Sequence, residues 1–200
     1  MTTTVQINPL YVLAGGASRR FGSDKAVACV HGVPMIRSVI DHLRSDHQDI
    51  TLVTGATKRY ADIQLPVITD QPAGIGPIGG LNAALLDRLQ QAGPGWLVIA
   101  ACDLVRPSTL WLEALNRQAT SRDRLAVAYR SDRWEPMLAL YHTDLLSRVE
   151  HQIRLKQYSV QQLLMAANAV AVNLPEGLGS LPQANTPEAL KAALRLGGAA

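Results

Sequence analysis

The chain has 200 residues, 48% hydrophobic and 18% charged, with a formal net charge of +3; this balance excludes a largely disordered protein and suits one domain with a buried core. Its longest apolar run, ending at Cys102, falls far short of the roughly 20 residues a membrane-spanning helix needs, and the polar start Met1–Asn8 lacks the basic and apolar regions of a secretory leader, so a cytoplasmic protein is the expectation. Basic residues are scattered rather than interleaved with aromatics, which argues against nucleic-acid binding and leaves a small anionic ligand open.

Ile7–Leu13 is short, apolar and β-prone, with Pro9 near its start where a strand tolerates a missing N–H. A glycine-rich loop follows, then Pro34–Arg44, whose Met35, Ile36, Val39, Ile40 and Leu43 fall at helical spacing behind a first-turn proline. Ile50–Val53 and Val67–Thr69 read as strands separated by a short polar helix around Lys58–Asp62. A helix at about Gly80–Gln91 precedes Trp96–Ala101, a continuous apolar run typical of a strand covered on both faces. Helices are expected at Pro107–Ala119, Thr143–Gln152 and Ser159–Ala167, and strands at Leu125–Tyr129, Met137–Tyr141 and Val170–Val172. A loop at Pro175–Pro182 leads to a last helix, Pro187–Leu196, capped by Thr186 and stopped by Gly197. Strands alternating with helices predict an α/β fold, a largely parallel sheet in a three-layer α/β/α sandwich, as one domain over residues 1–200. Cys29 and Cys102 are too few and too far apart for a metal site or disulfide framework, and both are expected reduced and at least partly buried.

Four of the 15 glycines fall between Gly15 and Gly32 and four more between Gly74 and Gly80. The first cluster begins where the first strand ends, the edge at which open α/β sheets bind ligands. Gly15 and Gly16 let backbone N–H groups approach a phosphate or a base edge, and Arg20 and Lys25 bring charge to neutralise anions. On spacing alone the same loop is also a tight turn with solvated cations. It is not a P-loop, because Gly16 and Gly22 are one residue too far apart and Lys25 does not follow a glycine. The second cluster, Gly74-Ile75-Gly76-Pro77-Ile78-Gly79-Gly80, has no strand-like run directly before it and reads as a flexible backbone surface at a helix start.

Asp103 follows the central apolar run and is expected at the same sheet edge, where a carboxylate suits Mg²⁺ held jointly with phosphates. The plainer alternative is an N-cap, made less natural by Pro107 four residues on. Glu135-Pro136 reads as a turn ahead of a strand, and Asn185-Thr186-Pro187-Glu188 as a helix start whose N–H groups also suit phosphate. None of the five histidines has HExxH spacing and no GxSxG elbow is present, so a hydrolase ranks low.

The stretch Leu13-Ala14-Gly15-Gly16-Ala17-Ser18-Arg19-Arg20-Phe21-Gly22-Ser23-Asp24-Lys25 resembles the LAGGxSxRxGxDK pattern of the molybdenum cofactor guanylyltransferases, within the larger nucleotidyltransferase superfamily. The resemblance extends through Asp70, Gly76-Pro77-Ile78-Gly79-Gly80, Cys102-Asp103, Glu135-Pro136 and Asn185-Thr186-Pro187-Glu188. It implies a mostly parallel, Rossmann-like sheet and the transfer of GMP from GTP to the terminal phosphate of molybdenum-molybdopterin, releasing pyrophosphate. The resemblance further implies nucleotide contacts from Leu13, Ala14, Gly15, Gly16, Lys25, Thr54, Asp70 and Asp103, catalytic roles for Arg20, Lys25 and Asp103, and Mg²⁺ held by Asp103. By the same likeness Glu135 and Asn185 face the acceptor, the N-terminal half holds the nucleotide, the C-terminal half holds the pterin, and transient contacts with cofactor-insertion enzymes or recipient molybdoenzymes follow. Gly15 favours guanine, since cytidylyl relatives tend towards LAAG. The chain departs from the pattern at Thr54, where an asparagine is common, at Leu104, where a proline is common, and at Gln183, the first asparagine of the NxNTPE ending. Other small-molecule nucleotidyl transfer, to a sugar phosphate or as cytidylyl transfer to molybdopterin, and a nucleotide-binding regulator without turnover are the alternatives.

Overall fold

The structure is a computed structural model that describes residues 8–15, 24–30, 32–45, 48–119, 124–186 and 188–191. In chain order its elements are β1 (Leu10–Leu13), a small hairpin of β2 (Cys29–Val30) and β3 (Val33–Pro34), α1 (Met35–Leu43), β4 (Ile50–Thr54), β5 (Val67–Thr69), α2 (Pro77–Ala92), β6 (Trp96–Ala101), α3 (Thr109–Asn116), β7 (Ala126–Arg130), β8 (Trp134–His142), α4 (Leu146–Arg154), α5 (Val160–Ala166) and β9 (Val170–Asn173).

Seven strands form one sheet in the order β5-β4-β1-β6-β8-β7-β9. Within it β8 runs against both of its neighbours, while the β5-β4-β1-β6 block and the β7-β9 pair are parallel. Side chains alternate across each strand, so the two faces of β1 divide the core. Leu10 and Val12 pack with Ile36, Val39, Ile40 and Leu43 of α1 and with Leu112 and Leu115 of α3. Tyr11 and Leu13 face Ile78, Leu81 and Leu85 of α2, Val149 of α4 and Leu163 and Leu164 of α5. This is the predicted three-layer sandwich, with aliphatic side chains supplying most of the packing.

The differences from the sequence reading are local. Helix α2 starts one turn earlier than Gly80, because Gly76 adopts φ +83° as its cap and Pro77 occupies the first turn. The polar helix expected around Lys58–Asp62 is a 3₁₀ turn at Ala61–Ile63. Glu135 and Pro136 belong to β8 rather than to a turn before it. Ala128 pairs with Ala139 but Tyr129 pairs with Glu135, so residues 136–138 bulge away from β7, and the Tyr141 hydroxyl donates to the Pro136 carbonyl at 2.9 Å. Cys102 is buried as expected, whereas Cys29 is exposed on the β2–β3 hairpin, which the sequence reading did not include. The Thr186 cap accepts from the Ala189 N–H at 3.1 Å and residues 188–191 are helical; the rest of the expected terminal helix lies outside the described residues. Among the described residues no helix is long and apolar enough to cross a membrane.

Candidate active site

A cleft of about 610 Å³ opens at the carboxyl ends of β1, β4 and β6, lined on one side by Leu13, Gly15, Gly55, Arg59, Asp70 and Gly80 and on the other by Met137, Gln183 and Asn185. Gly15 and Gly80, one from each glycine cluster, meet there at the Asp70 carboxylate. A Cβ on Gly15 would lie 3.1 Å from Asp70 Oδ2 and 2.9 Å from the Gly55 nitrogen, and one on Gly80 would lie 3.2 Å from Asp70 Oδ1. Gly15, against the Gly55 backbone, therefore requires glycine, Gly80 leaves little room for anything larger, and together they seat Asp70. Burial pushes the Asp70 carboxyl up to about 6. The N-terminus of α2, entering through Gly76 and Pro77, turns its partial positive charge toward the same space.

Lys25 opens a 3₁₀ turn capped by Asp24, whose Oδ1 accepts from the Ala26 N–H at 3.1 Å. That turn brings the Lys25 ammonium to Asp103 Oδ2 at 2.5 Å. Asp103 is 3% exposed, and its Oδ1 has no hydrogen-bond partner among the described residues. It does not cap the following helix, because Ser108 does, its hydroxyl accepting from the Leu110 N–H at 3.2 Å. A buried carboxylate with one oxygen on an ammonium and the other unmatched suits a cation. Next to it the Cys102 thiol is pushed up to about 12, first by burial and then by the Asp103 charge, so it stays neutral.

The opposite side is built from the β8 bulge, which turns Met137 into the cleft, and from residues 181–186. This last segment is tied through its main chain: the Val105 N–H donates to the Pro182 carbonyl at 2.9 Å and the Ala184 N–H to the Asp103 carbonyl at 2.8 Å. Gln183 thereby bridges Leu104 and, with Asn185, faces the cleft.

A family model described as the MobA-like NTP transferase domain matches residues 10–172. The chain belongs to this family. A probable molybdenum cofactor guanylyltransferase of Opitutus terrae is 31% identical over 156 residues, covering 78% of this chain and 76% of its own. The molybdenum cofactor guanylyltransferase of Pseudomonas entomophila is 28% identical over 194 residues, covering 95% of this chain and 100% of its own. Among solved structures, the molybdopterin-guanine dinucleotide biosynthesis protein A of Archaeoglobus fulgidus superposes with a TM-score of 0.77 at 25% identity, covering 94% of this chain and 97% of that one.

In this MobA-like cleft the structure brings together Leu13, Gly15, Lys25, Asp70, Asp103 and Asn185 from the residues singled out in the sequence. Ala14 is buried behind the surface. Thr54 is 0% exposed, and its hydroxyl is spent on the carbonyls of Thr57 at 2.9 Å and Ile68 at 3.3 Å; the surface at that point is Gly55 and Ala56. Glu135 is half-buried, its carboxyl raised by burial and drawn back by the Leu181 N–H, so it faces residue 181 rather than the cleft. Gly16 and Arg20 lie outside the described residues. Sequence reasoning missed Gly55, Ala56, Arg59 and Met137. The glycine carried a signal, as did Met137 by directly following Glu135-Pro136, whereas Ala56 and Arg59 sit in a stretch without a recognisable motif.

Proposed function

We propose that this chain transfers GMP from GTP to the terminal phosphate of molybdenum-bearing molybdopterin and releases pyrophosphate. The observation that carries the reading is the Lys25–Asp103 pair, a buried carboxylate with an unmatched oxygen at the mouth of the cleft that Asp70 and the glycines line. A phosphate oxygen of the acceptor attacks the α-phosphorus; the new P–O bond forms as the bond to the β-phosphate bridge breaks, and pyrophosphate leaves with the electron pair. The nucleophile is already an anion, so no general base is required. The obstacle is repulsion between two polyanions, which Lys25 and Arg20 offset while the glycine-rich backbone holds the triphosphate for in-line attack.

Mg²⁺ fits the residues present. Asp103 would hold it through Oδ1, with phosphate oxygens and water completing its shell, since among the described residues no cluster of three or more His, Cys, Asp or Glu could hold a metal unaided. When bound it would neutralise phosphate charge and polarise the reacting centre. Asp70 offers two acceptor oxygens to the adjacent N–H and NH₂ donors of guanine, which adenine lacks. Asn185 and Gln183 face the acceptor, and Glu135 shapes their segment from behind. On this reading the N-terminal half of one domain holds the nucleotide and the C-terminal half the pterin. The enzyme works in the cytoplasm, and its product passes through transient contact with cofactor-insertion enzymes or recipient molybdoenzymes.

The test is pyrophosphate release with GTP, CTP or ATP and Mg²⁺, each with and without molybdenum-molybdopterin. Release confined to GTP plus acceptor is the expected result. Preference for CTP would overturn the guanine assignment, and nucleotide binding without transfer would overturn the enzyme.

A further inference from the structure

We propose that Arg59 is a phosphate-contacting residue of this cleft, held in place by Asp24 and Tyr60, an assignment that rests on the nucleotide reading above. Arg59 lines the cleft with Lys25, and its side chain is 49% exposed, so the guanidinium reaches both the protein and the ligand space. Its Nη1 donates to Asp24 Oδ2 at 2.9 Å. Asp24 immediately precedes Lys25, which places Arg59 at the Lys25 end of the cleft.

An exposed Arg–Asp pair on its own is a weak surface contact. Here the carboxylate is fixed from the other side as well. The Tyr60 hydroxyl donates to Asp24 Oδ2 at 2.7 Å and lies 3.4 Å from the Ala14 carbonyl, so one phenol reaches both Ala14 and Asp24. Burial and the Asp24 charge push the Tyr60 hydroxyl well above its ordinary value and keep it a neutral donor. Tyr60 makes these contacts from a left-handed backbone, φ 60° and ψ 40°, a conformation unfavourable for a bulky side chain and retained where surrounding contacts impose it. Asp24 therefore serves three donors: the Ala26 N–H that shapes the Lys25 turn, the phenol, and Arg59. The result is a second cation set at a defined place beside the first. A guanidinium has five N–H donors in a planar fork that matches phosphate oxygens, and Nη1 alone meets Asp24. The ligand chemistry it fits is the phosphate tail of a nucleoside triphosphate rather than the base.

The experiment compares binding of GMP, GDP and GTP by calorimetry to the unaltered chain and to Arg59→Gln, Arg59→Lys, Tyr60→Phe and the Arg59→Gln/Tyr60→Phe double variant. Arg59→Gln is expected to weaken GTP by about tenfold or more and GMP by no more than about threefold, with Arg59→Lys in between. Tyr60→Phe is expected to narrow the GTP-to-GMP ratio in the Arg59 protein and to leave it unchanged in the Arg59→Gln background, a coupling that general destabilisation does not produce. Equal losses for all three nucleotides, or no loss, would overturn the assignment to Arg59 while leaving the guanylyl-transfer reading intact. If the unaltered chain binds no guanine nucleotide, that reading falls and this assignment with it.

Discussion

Along the β1, β4 and β5 side of the cleft the polar groups are held by one another and by close backbone contacts, Asp70 between Gly15 and Gly80, Asp24 between Arg59 and Tyr60. Across from them, Gln183 and Asn185 ride on a segment anchored by its main chain to Val105 and Asp103, and among the described residues their side chains hydrogen-bond only to each other, at 3.5 Å. The first arrangement is set by volume and charge, so a single methyl group disturbs it. The second fixes the path of the chain and leaves its side chains replaceable, in keeping with a glutamine at 183 where the family pattern has an asparagine. A rigid polar seat thus faces a more adaptable surface.

The contrast is broken hardest at Asp103, the residue to which both sides attach. Asp103→Asn keeps the shape and removes the charge, and Mg²⁺-dependent pyrophosphate release is expected to fall about 10²–10³-fold while the circular-dichroism spectrum stays native. Gly15→Ala tests the volume limit. Its Cβ meets the Gly55 backbone at 2.9 Å, so a loss of ~1–3 kcal/mol in thermal stability and about tenfold in GTP affinity is expected by melting and titration.

Acidity gives a gentler probe of the same side. The Asp70 carboxyl is raised from 3.8 to about 6 by burial, so the stability it contributes is complete below the lower value and lost as pH rises through the upper one. Asp70→Asn is expected to raise the melting temperature relative to the unaltered protein at pH 7 but not at pH 4. GTP affinity should fall from pH 7 to pH 5 as the carboxylate gains a proton, and the Asn variant should lose that pH dependence. The smallest effect belongs to the other side: Asn185→Ala should raise the acceptor KM several-fold and leave both the GTP KM and the melting temperature unchanged, as steady-state kinetics would report.

The layers of the fold were legible because β1 and β6 are continuous apolar runs and α1 has clear helical spacing, and Lys25, Asp70 and Asp103 were legible through their motif. What escaped depends on pairings distant in sequence. The bulge at residues 136–138 is visible only once β7 fixes the register, and the Thr54 hydroxyl is taken up by the carbonyls of Thr57 and Ile68, contacts that only the packed β4–β5 edge defines. Tyr60 carries no local sign of a left-handed backbone, since neither glycine nor asparagine marks it.

The main-chain bond from Ala184 to Asp103 also sets an order of events during synthesis. β1, β4, β5 and β6 lie within the first 101 residues, yet the segment that pins Asp103 follows it by about 80 residues. With chains growing at roughly 5–20 residues per second and long-range contacts closing late, Asp103 waits several seconds without its final partner. The nascent protein therefore completes the β1, β4 and β5 side of the cleft before the side that carries Gln183 and Asn185, and the whole cleft is assembled only when nearly all of the described chain has been made.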